Sequence, residues 1–179
     1  MDPKVKRFLI IRLAGLFTSF LAVFAVWFFF FYETEEDKIR GVFDQLIQCT
    51  EKSGNKGMID EVADVRGIER VLAPEIQLVG IPYASGKYKA KELALRFMQG
   101  RKMVNSLRLS VHDLHIIVQP DKTKADAEFT LYATGNGGKA GGGFREAFDC
   151  TAELIKNDDN KWVFQLFTGK PVVSRGNAK

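Results

Sequence analysis

The sequence lacks the short motifs that mark metal, nucleotide or serine-hydrolase chemistry. It contains no nucleophile elbow, no His-Glu-x-x-His pair, no paired Cys-x-x-Cys and no EF-hand loop. Its 179 residues include two histidines and two cysteines, and Cys49 and Cys150 do not have metal-ligand spacing. We therefore expect neither a metal nor a cofactor.

The sequence also lacks a basic run or an aromatic ladder of the kind that contacts nucleic acid. The formal net charge is +4, and the first 12 residues hold four of the 26 basic residues but one of the 22 acidic ones. The remainder is close to neutral, so the pI of about 9.0 reflects this amino-terminal segment. We expect no nucleic-acid partner.

The glycine-rich stretch 135–143 lacks the features of a phosphate-binding loop. A Walker loop needs Gly-Lys followed by Ser or Thr and then a helix, whereas here Lys139 precedes Ala140 and a strand pattern follows. Six glycines in nine residues instead predict a hairpin tip.

Among the features that are present, one long uncharged run dominates. Leu13 through Tyr32 gives twenty residues without a charge, LAGLFTSFLAVFAVWFFFFY. At about 1.5 Å of helix rise per residue the run reaches about 30 Å, the thickness of the hydrocarbon core of a bilayer. We predict a transmembrane anchor over residues 8–32, with the membrane as a partner through Leu13 to Tyr32.

The charges that flank this run predict its orientation. Basic residues precede it and acidic residues follow it: Lys4, Lys6, Arg7 and Arg12, then Glu33, Glu35, Glu36 and Asp37. The positive-inside bias predicts a cytoplasmic basic tail over 1–7, a short acidic linker over 33–37 and an exported carboxy-terminal domain, periplasmic or extracellular.

Two alternatives to an uncleaved anchor exist. One is a signal peptide cleaved near Ala25, and the other is a buried helix of a soluble protein. The apolar run continues past Ala25 as far as Tyr32 and shows no polar face. Both observations favour a single-pass anchor.

After the linker, the hydrophobic pattern changes from the helical period to the strand period. Helices are predicted from about residue 36, at about 59–73, where Pro74 ends the pattern, and at 88–103. A short strand is predicted at 75–81, followed by a turn or partial strand at 82–86. Four longer strands are predicted at 106–119, 124–134, 143–156 and 161–169, joined by hairpin turns and therefore antiparallel.

This order of elements resembles a known superfamily. Local sequences that fit it are Leu72-Ala73-Pro74-Glu75-Ile76, Gly86 ahead of KAKELALRF, and the closing Lys161-Trp162-Val163-Phe164. The order is similar to that of the nuclear transport factor 2-like superfamily, which includes SnoaL-like and ketosteroid-isomerase-like proteins. The resemblance implies an α+β cone of order α-α-β-α-β-β-β-β, with a strongly curved antiparallel sheet, over 38–173. We predict a flexible tail over 174–179.

The resemblance also implies a pocket between the concave face of the sheet and the helices. Glu146 shares its strand parity with Phe144 and Phe148, so it is the candidate general acid or base on the apolar side, where burial would raise its pKa. The alternative is a solvated carboxylate at the mouth of the cone. We expect the pocket to be lined, or filled, by aromatic side chains: Phe97, Tyr83, Phe144, Phe148 and Trp162.

A second candidate for proton transfer lies in the first long strand. Asp113 and His115 fall where the apolar parity of Leu109 and Val111 changes phase. Without a β-bulge, both side chains would lie on the concave side; with one, His115 would turn outward.

Two statements about pairing remain open from the sequence. Cys49 and Cys150 are either two buried thiols or, in an oxidising compartment, a disulfide. The resemblance implies a homodimer through the outer face of the sheet, for which we name Thr130, Tyr132, Val163 and Phe167.

Two functions compete on this evidence. The first is a membrane-anchored, extracytoplasmic binding or scaffold module that recognises a small apolar ligand or a protein partner without turnover. The second is a SnoaL-like lyase, isomerase or hydrolase that acts on a lipophilic substrate, with Glu146 or the Asp113 and His115 pair as proton carrier. The missing catalytic constellation favours the module.

Overall fold

The computed structural model describes residues 20, 24, 33–52, 57–82, 84–137 and 142–172. The chain divides into two compact units, Met1–Thr34 and Glu35–Lys179. Apart from Phe20 and Phe24, the predicted anchor lies outside the described residues, as do the predicted tails 1–7 and 174–179. Within the described parts of the chain, no helix is both long enough and apolar enough to cross a membrane.

Three helices are described in the second unit. Helix α1 spans Glu35–Thr50, α2 spans Met58–Arg70 and α3 spans Ala90–Lys102. Helix α1 begins inside the segment predicted as a linker, because its acidic first turn suits the positive end of the helix dipole.

Six strands form one mixed sheet. They are β1 Leu72–Val79, β2 Gly86–Lys89, β3 Val104–Val118, β4 Lys124–Gly137, β5 Gly143–Lys156 and β6 Trp162–Pro171. Their order in the sheet is β2-β1-β6-β5-β4-β3. The α+β class and the positions of the long strands agree with the sequence prediction to within three residues.

Two details of the predicted sheet are wrong. The sheet is not purely antiparallel, because β1 runs parallel to β6; hairpin turns determine the direction of neighbouring strands only, and these two strands are far apart in sequence. The segment before α3 is also a full strand, since Gly86–Lys89 pairs with β1.

The second helix ends earlier than predicted, and Pro74 lies inside β1. The register of β1 on β6 is interrupted between Leu72 and Gln77, and Pro74 is exposed. Proline is tolerated there because no ladder hydrogen bond is required from its nitrogen. The strand therefore begins at Leu72 rather than after the proline.

The core lies between the helices and one face of the sheet. On this inner face β4 presents Ala127 and Phe129, and β5 presents Ala152 and Leu154, all buried. The ring of Phe43 in α1 packs edge-on against Phe129, with centroids 4.9 Å apart, and equally against Phe164 of β6. The outer face carries the alternate residues of the same strands, among them Glu128, Thr130, Asp149 and Thr151.

Helices α1 and α2 approach closely at a glycine. A methyl group added at Gly67 would collide with Sγ of Cys49, so the α1–α2 spacing requires the missing side chain. Cys49 and Cys150 are free thiols rather than a disulfide; of the two, Cys150 is buried as expected, and Cys49 is half-buried.

A buried arginine ties the three helices together. Arg101 near the end of α3 is 5% exposed, and its Nη1 donates to Oδ2 of Asp64 in α2 at 2.7 Å. The same nitrogen donates to the carbonyl oxygens of Cys49 and Glu51, at 3.2 and 3.3 Å. Arg101 thus neutralises a carboxylate and satisfies carbonyl groups at the end of α1.

We predict that Arg101→Met lowers the free energy of unfolding by about 3 kcal/mol, because it removes the buried guanidinium that binds Asp64 and the carbonyl oxygens of Cys49 and Glu51. The matched control is Arg96→Met in the same helix, whose ion pair with Glu92 is exposed and which should cost less than about 1 kcal/mol. Urea denaturation measures both variants. Equal losses would contradict the role assigned to Arg101.

Candidate functional site

An apolar cavity of about 170 Å³ lies between the inner face of the sheet and helices α1 and α3. Side chains from both layers form its wall, among them Phe43, Leu46, Ile47, Leu93, Phe97, Val111, Leu131 and Phe148. No charged side chain belongs to the described lining. The cavity therefore favours an uncharged occupant.

The two side chains with polar groups in the wall already have hydrogen-bond partners. The hydroxyl of Thr50 donates to the carbonyl oxygen of Leu46 at 2.7 Å, and Sγ of Cys150 donates to the carbonyl oxygen of Phe148 at 3.6 Å. Burial raises the pKa of Cys150 to about 11, so this thiol is protonated at neutral pH and is a weak nucleophile.

A β-bulge in β3 determines which residues face this cavity. The register of β3 on β4 shifts between His112 and His115, and Asp113 has a φ of 53°. Because of this extra residue, Val111 before the bulge and Ile116 after it both lie on the inner face. Of the two arrangements left open by the sequence, the structure shows the bulged one.

The bulge separates the candidate proton-transfer pair from the cavity. Asp113 and His115 lie on the outer face, in a shallow depression that also includes Glu128 and Asp149. His115 is opposite Glu128 across the strand pair, and both side chains are exposed. Neither Asp113 nor His115 lines the apolar cavity.

Glu146 has the predicted parity but lies beyond the cavity. It is exposed and lies in an open depression with Pro82, Phe148 and Val172. This position is the solvated one that the sequence left as an alternative. The structure therefore brings none of the three proposed proton carriers to the wall of the cavity.

The predicted aromatic residues fall in different places. Phe97 and Phe148 line the cavity, and Phe97 is 36% exposed, so it lies where the cavity meets the surface. Phe144 covers Gly135 on the neighbouring strand, away from the cavity. Trp162 is buried but is not part of the wall, and Tyr83 lies outside the described residues.

Sequence reasoning missed several wall residues, notably Thr50, Leu131 and Cys150. For Leu131 and Cys150 a signal was available, because each shares its strand parity with buried neighbours, Phe129 and Ala152. For Thr50 no signal existed, since a threonine at the end of a helix is equally common at the surface.

Two of the four residues named for an outer-face dimer do not lie on an exposed surface. Thr130 and Tyr132 belong to the outer face, but Val163 is buried and Phe167 lines the cavity. Val163 keeps the outer parity, opposite Ile155, and is buried nonetheless. Phe167 lies on the inner face, opposite Ala152, because an extra residue between the Phe164 and Leu166 pairings reverses the parity of β6 from that point on, as the bulge does in β3.

Trp162 belongs to a charged cluster at the first turn of α1. Its Nε1 donates to Oε2 of Glu35 at 2.8 Å, and Nζ of Lys156 lies 2.9 Å from the same oxygen. Nζ of Lys38 lies 2.9 Å from the other carboxylate oxygen. These hydrogen bonds lower the pKa of Glu35 from 4.5 to about 2, and the bond from Lys156 has the largest effect, followed by the bond from Lys38.

We predict that Glu35→Gln lowers the free energy of unfolding at pH 7 by about 1–2 kcal/mol, because it weakens these charge-assisted bonds. A carboxylate whose pKa is lowered by folding stabilises fully above pH 4.5, and this contribution is lost as the pH falls toward about 2. The difference between the two proteins should therefore shrink over that range in urea denaturation. Glu36→Gln, at an exposed neighbour, is the control, and a pH-independent difference would contradict the assignment.

Comparison with known proteins shows the fold. No family model and no curated protein sequence match the chain. A candidate dehydratase of the NTF2-like family from Streptomyces avermitilis superposes with a TM-score of 0.61 at 11% identity, covering 78% of this chain and 97% of that one.

Two further solved structures that superpose on this chain have unrelated names. A hexachlorocyclohexane dehydrochlorinase from Novosphingobium barchaimii gives a TM-score of 0.59 at 12% identity, covering 80% of this chain and 94% of that one. The CaMKII hub from S. rosetta gives 0.57 at 14%, covering 75% and 95%. At such identities the likeness shows the fold alone: the described domain has the NTF2-like, cystatin-like cone.

Proposed function

We propose that this chain is a membrane-anchored module that binds a small apolar ligand in its cone, in the compartment opposite the cytoplasm. The observation that carries the ligand part is the cavity of about 170 Å³ with its uncharged wall. An engineered apolar cavity of about 150 Å³ holds benzene. The ligand is therefore about the size of a substituted benzene ring.

Binding without turnover is favoured over catalysis because the described residues of the cavity wall include no candidate proton carrier. A general acid or base must come within hydrogen-bond reach of the reacting group. Glu146, Asp113 and His115 all lie outside the wall. The thiol of Cys150 is held protonated by burial, so it does not replace them.

The membrane anchor is supported by the uncharged run from Leu13 to Tyr32 and by the charges on either side of it. We expect the full chain to stay in the membrane fraction after alkaline extraction, and a chain starting at Glu33 to be released. Protease added from outside the cytoplasm should digest the domain of the full chain. A full chain recovered without membranes would contradict the anchor and would leave the ligand proposal standing.

Ligand binding is tested on a fragment that starts at Glu33, with toluene as the probe. Toluene at several times its dissociation constant should raise the melting temperature by about 2–4 °C. Val111→Phe extends a ring from the wall into the cavity and should abolish the shift. Ile117→Phe makes the same kind of addition on the outer face of the same strand, where Ile117 is 55% exposed, and should preserve it.

The two variants separate specific binding from a general solvent effect. A toluene shift that survives Val111→Phe, or an absent shift in the unmodified fragment, would overturn the proposal. Methyl NMR of the fragment gives a second measurement, since resonances of Leu131 and Val111 should move while that of Ile117 stays in place.

A further inference from the structure

Strand β6 has a glycine in the wall of the apolar cavity. Gly169 is buried and lies opposite Cys150 in the β5–β6 ladder, and both residues belong to the cavity lining. A glycine inside a strand weakens the strand, because it loses more conformational freedom on folding than other residues and has no side chain to pack. The missing side chain therefore has either a structural cause or a functional use.

The backbone at Gly169 does not require glycine. In the described part of the chain, the glycines with a positive φ are Gly80 and Gly86, so Gly169 has a conformation that alanine also adopts. Gly80 is the contrasting case, because its φ is 71° and a methyl group there would collide with the carbonyl oxygen of Gly169. The turn after β1 thus needs its glycine, whereas the backbone at Gly169 would accept alanine.

The space beside Gly169 belongs to the cavity. A Cβ atom at this position would lie 3.7 Å from Sγ of Cys150, 3.9 Å from Cε1 of Phe167 and 3.3 Å from Cγ1 of Ile81. All three neighbours are side chains of the cavity wall, and the first two distances are ordinary van der Waals contacts. A methyl group here would therefore project among the wall side chains and take space from a ligand.

We propose that Gly169 determines the length of the ligand, an assignment that rests on the proposed binding of an apolar molecule in the cavity. An engineered cavity of about 150 Å³ already holds benzene, and the cavity here has about 170 Å³. The room left by the missing side chain of Gly169 holds a short alkyl substituent on the ring. The ligand class is therefore an alkyl-substituted aromatic rather than the bare ring.

The competing explanation is packing, in which Gly169 only makes room for Ile81. Ile81 is half-buried and lies between the cavity and the open depression that contains Glu146, since it belongs to the lining of both. Because one side of Ile81 borders this depression, its side chain has room to move by a few tenths of an ångström. We therefore expect the variant Gly169→Ala to fold.

The test compares the affinities of the full chain for benzene and for ethylbenzene, measured by methyl NMR titration in one detergent. In Gly169→Ala the ratio of the ethylbenzene affinity to the benzene affinity should fall roughly tenfold, because the new methyl group takes the place of the substituent. Partition of each aromatic into the detergent is the same for every variant and cancels when the ratios are compared. Without ligand, the melting temperature should rise by about 1–4 °C.

The matched control is Gly41→Ala in α1. Gly41 is exposed, and no atom outside its own helix turn lies within 4 Å of the place where its Cβ would be. This variant should also raise the melting temperature, because alanine favours the helix, and should leave the affinity ratio unchanged. The methyl resonance introduced by Gly169→Ala should move when benzene binds, whereas the one introduced by Gly41→Ala should stay in place.

The outcomes separate this assignment from the proposed function. An unchanged affinity ratio in Gly169→Ala, with or without a lower melting temperature, would support the packing explanation and overturn the assignment alone. Equal changes of the ratio in Gly169→Ala and Gly41→Ala would also overturn it. Failure of the unmodified chain to bind either aromatic would overturn the proposed function and this assignment together.

Discussion

The extra residue at Asp113 in β3 decides which side chains reach the cavity and which reach the opposite face. In a regular strand, Asp113 would follow Val111 onto the inner face and bring His115 with it. The bulge moves Leu114 and Ile116 into those places. At the bulge Asp113 has a left-handed backbone conformation, which aspartate adopts more readily than most residues. The uncharged cavity and the charged outer face are therefore two results of one local irregularity.

Two polar clusters hold helix α1 over the cavity. Arg101 binds carbonyl groups at its carboxy-terminal end, and Glu35 at its first turn is bound by Lys156 and Trp162. Between these ends, α1 contributes Phe43 and neighbouring apolar side chains to the wall. A helix fixed at both ends keeps the cavity open, because a collapse onto the sheet would have to break one of the clusters.

The sequence predicted the features that depend on alternation within one strand. It missed the features that depend on where a residue lies along the sheet or on which distant strands pair. The long strands and the phase slip at Asp113 follow from period-two patterns that a single strand carries by itself. Parity placed Glu146 on the correct face, but it does not tell how far along that face the cavity extends. The parallel pairing of β1 with β6 joins segments distant in the chain, and no local pattern encodes its direction.

The register irregularity in β6 also could not be predicted from alternation along the strand. Alternation alone assigned Val163 and Phe167 to the outer face, but a single extra residue between the Phe164 and Leu166 pairings places Phe167 on the inner face, whereas Val163 keeps the outer parity. A bulge in β3 was visible because apolar residues flank it on both sides. In β6 apolar residues occupy both parities on either side of Gln165, so a change of parity there leaves no trace in the sequence.

The chemistry of the wall limits how selective the cavity is. Each buried methylene contributes about 0.8 kcal/mol, so ligands that differ by one carbon differ about fourfold in affinity. The polar groups of the wall add little selectivity, because the hydroxyl of Thr50 donates to the carbonyl oxygen of Leu46 and the thiol of Cys150 donates to that of Phe148. The described wall therefore selects a ligand by size and shape rather than by a hydrogen bond.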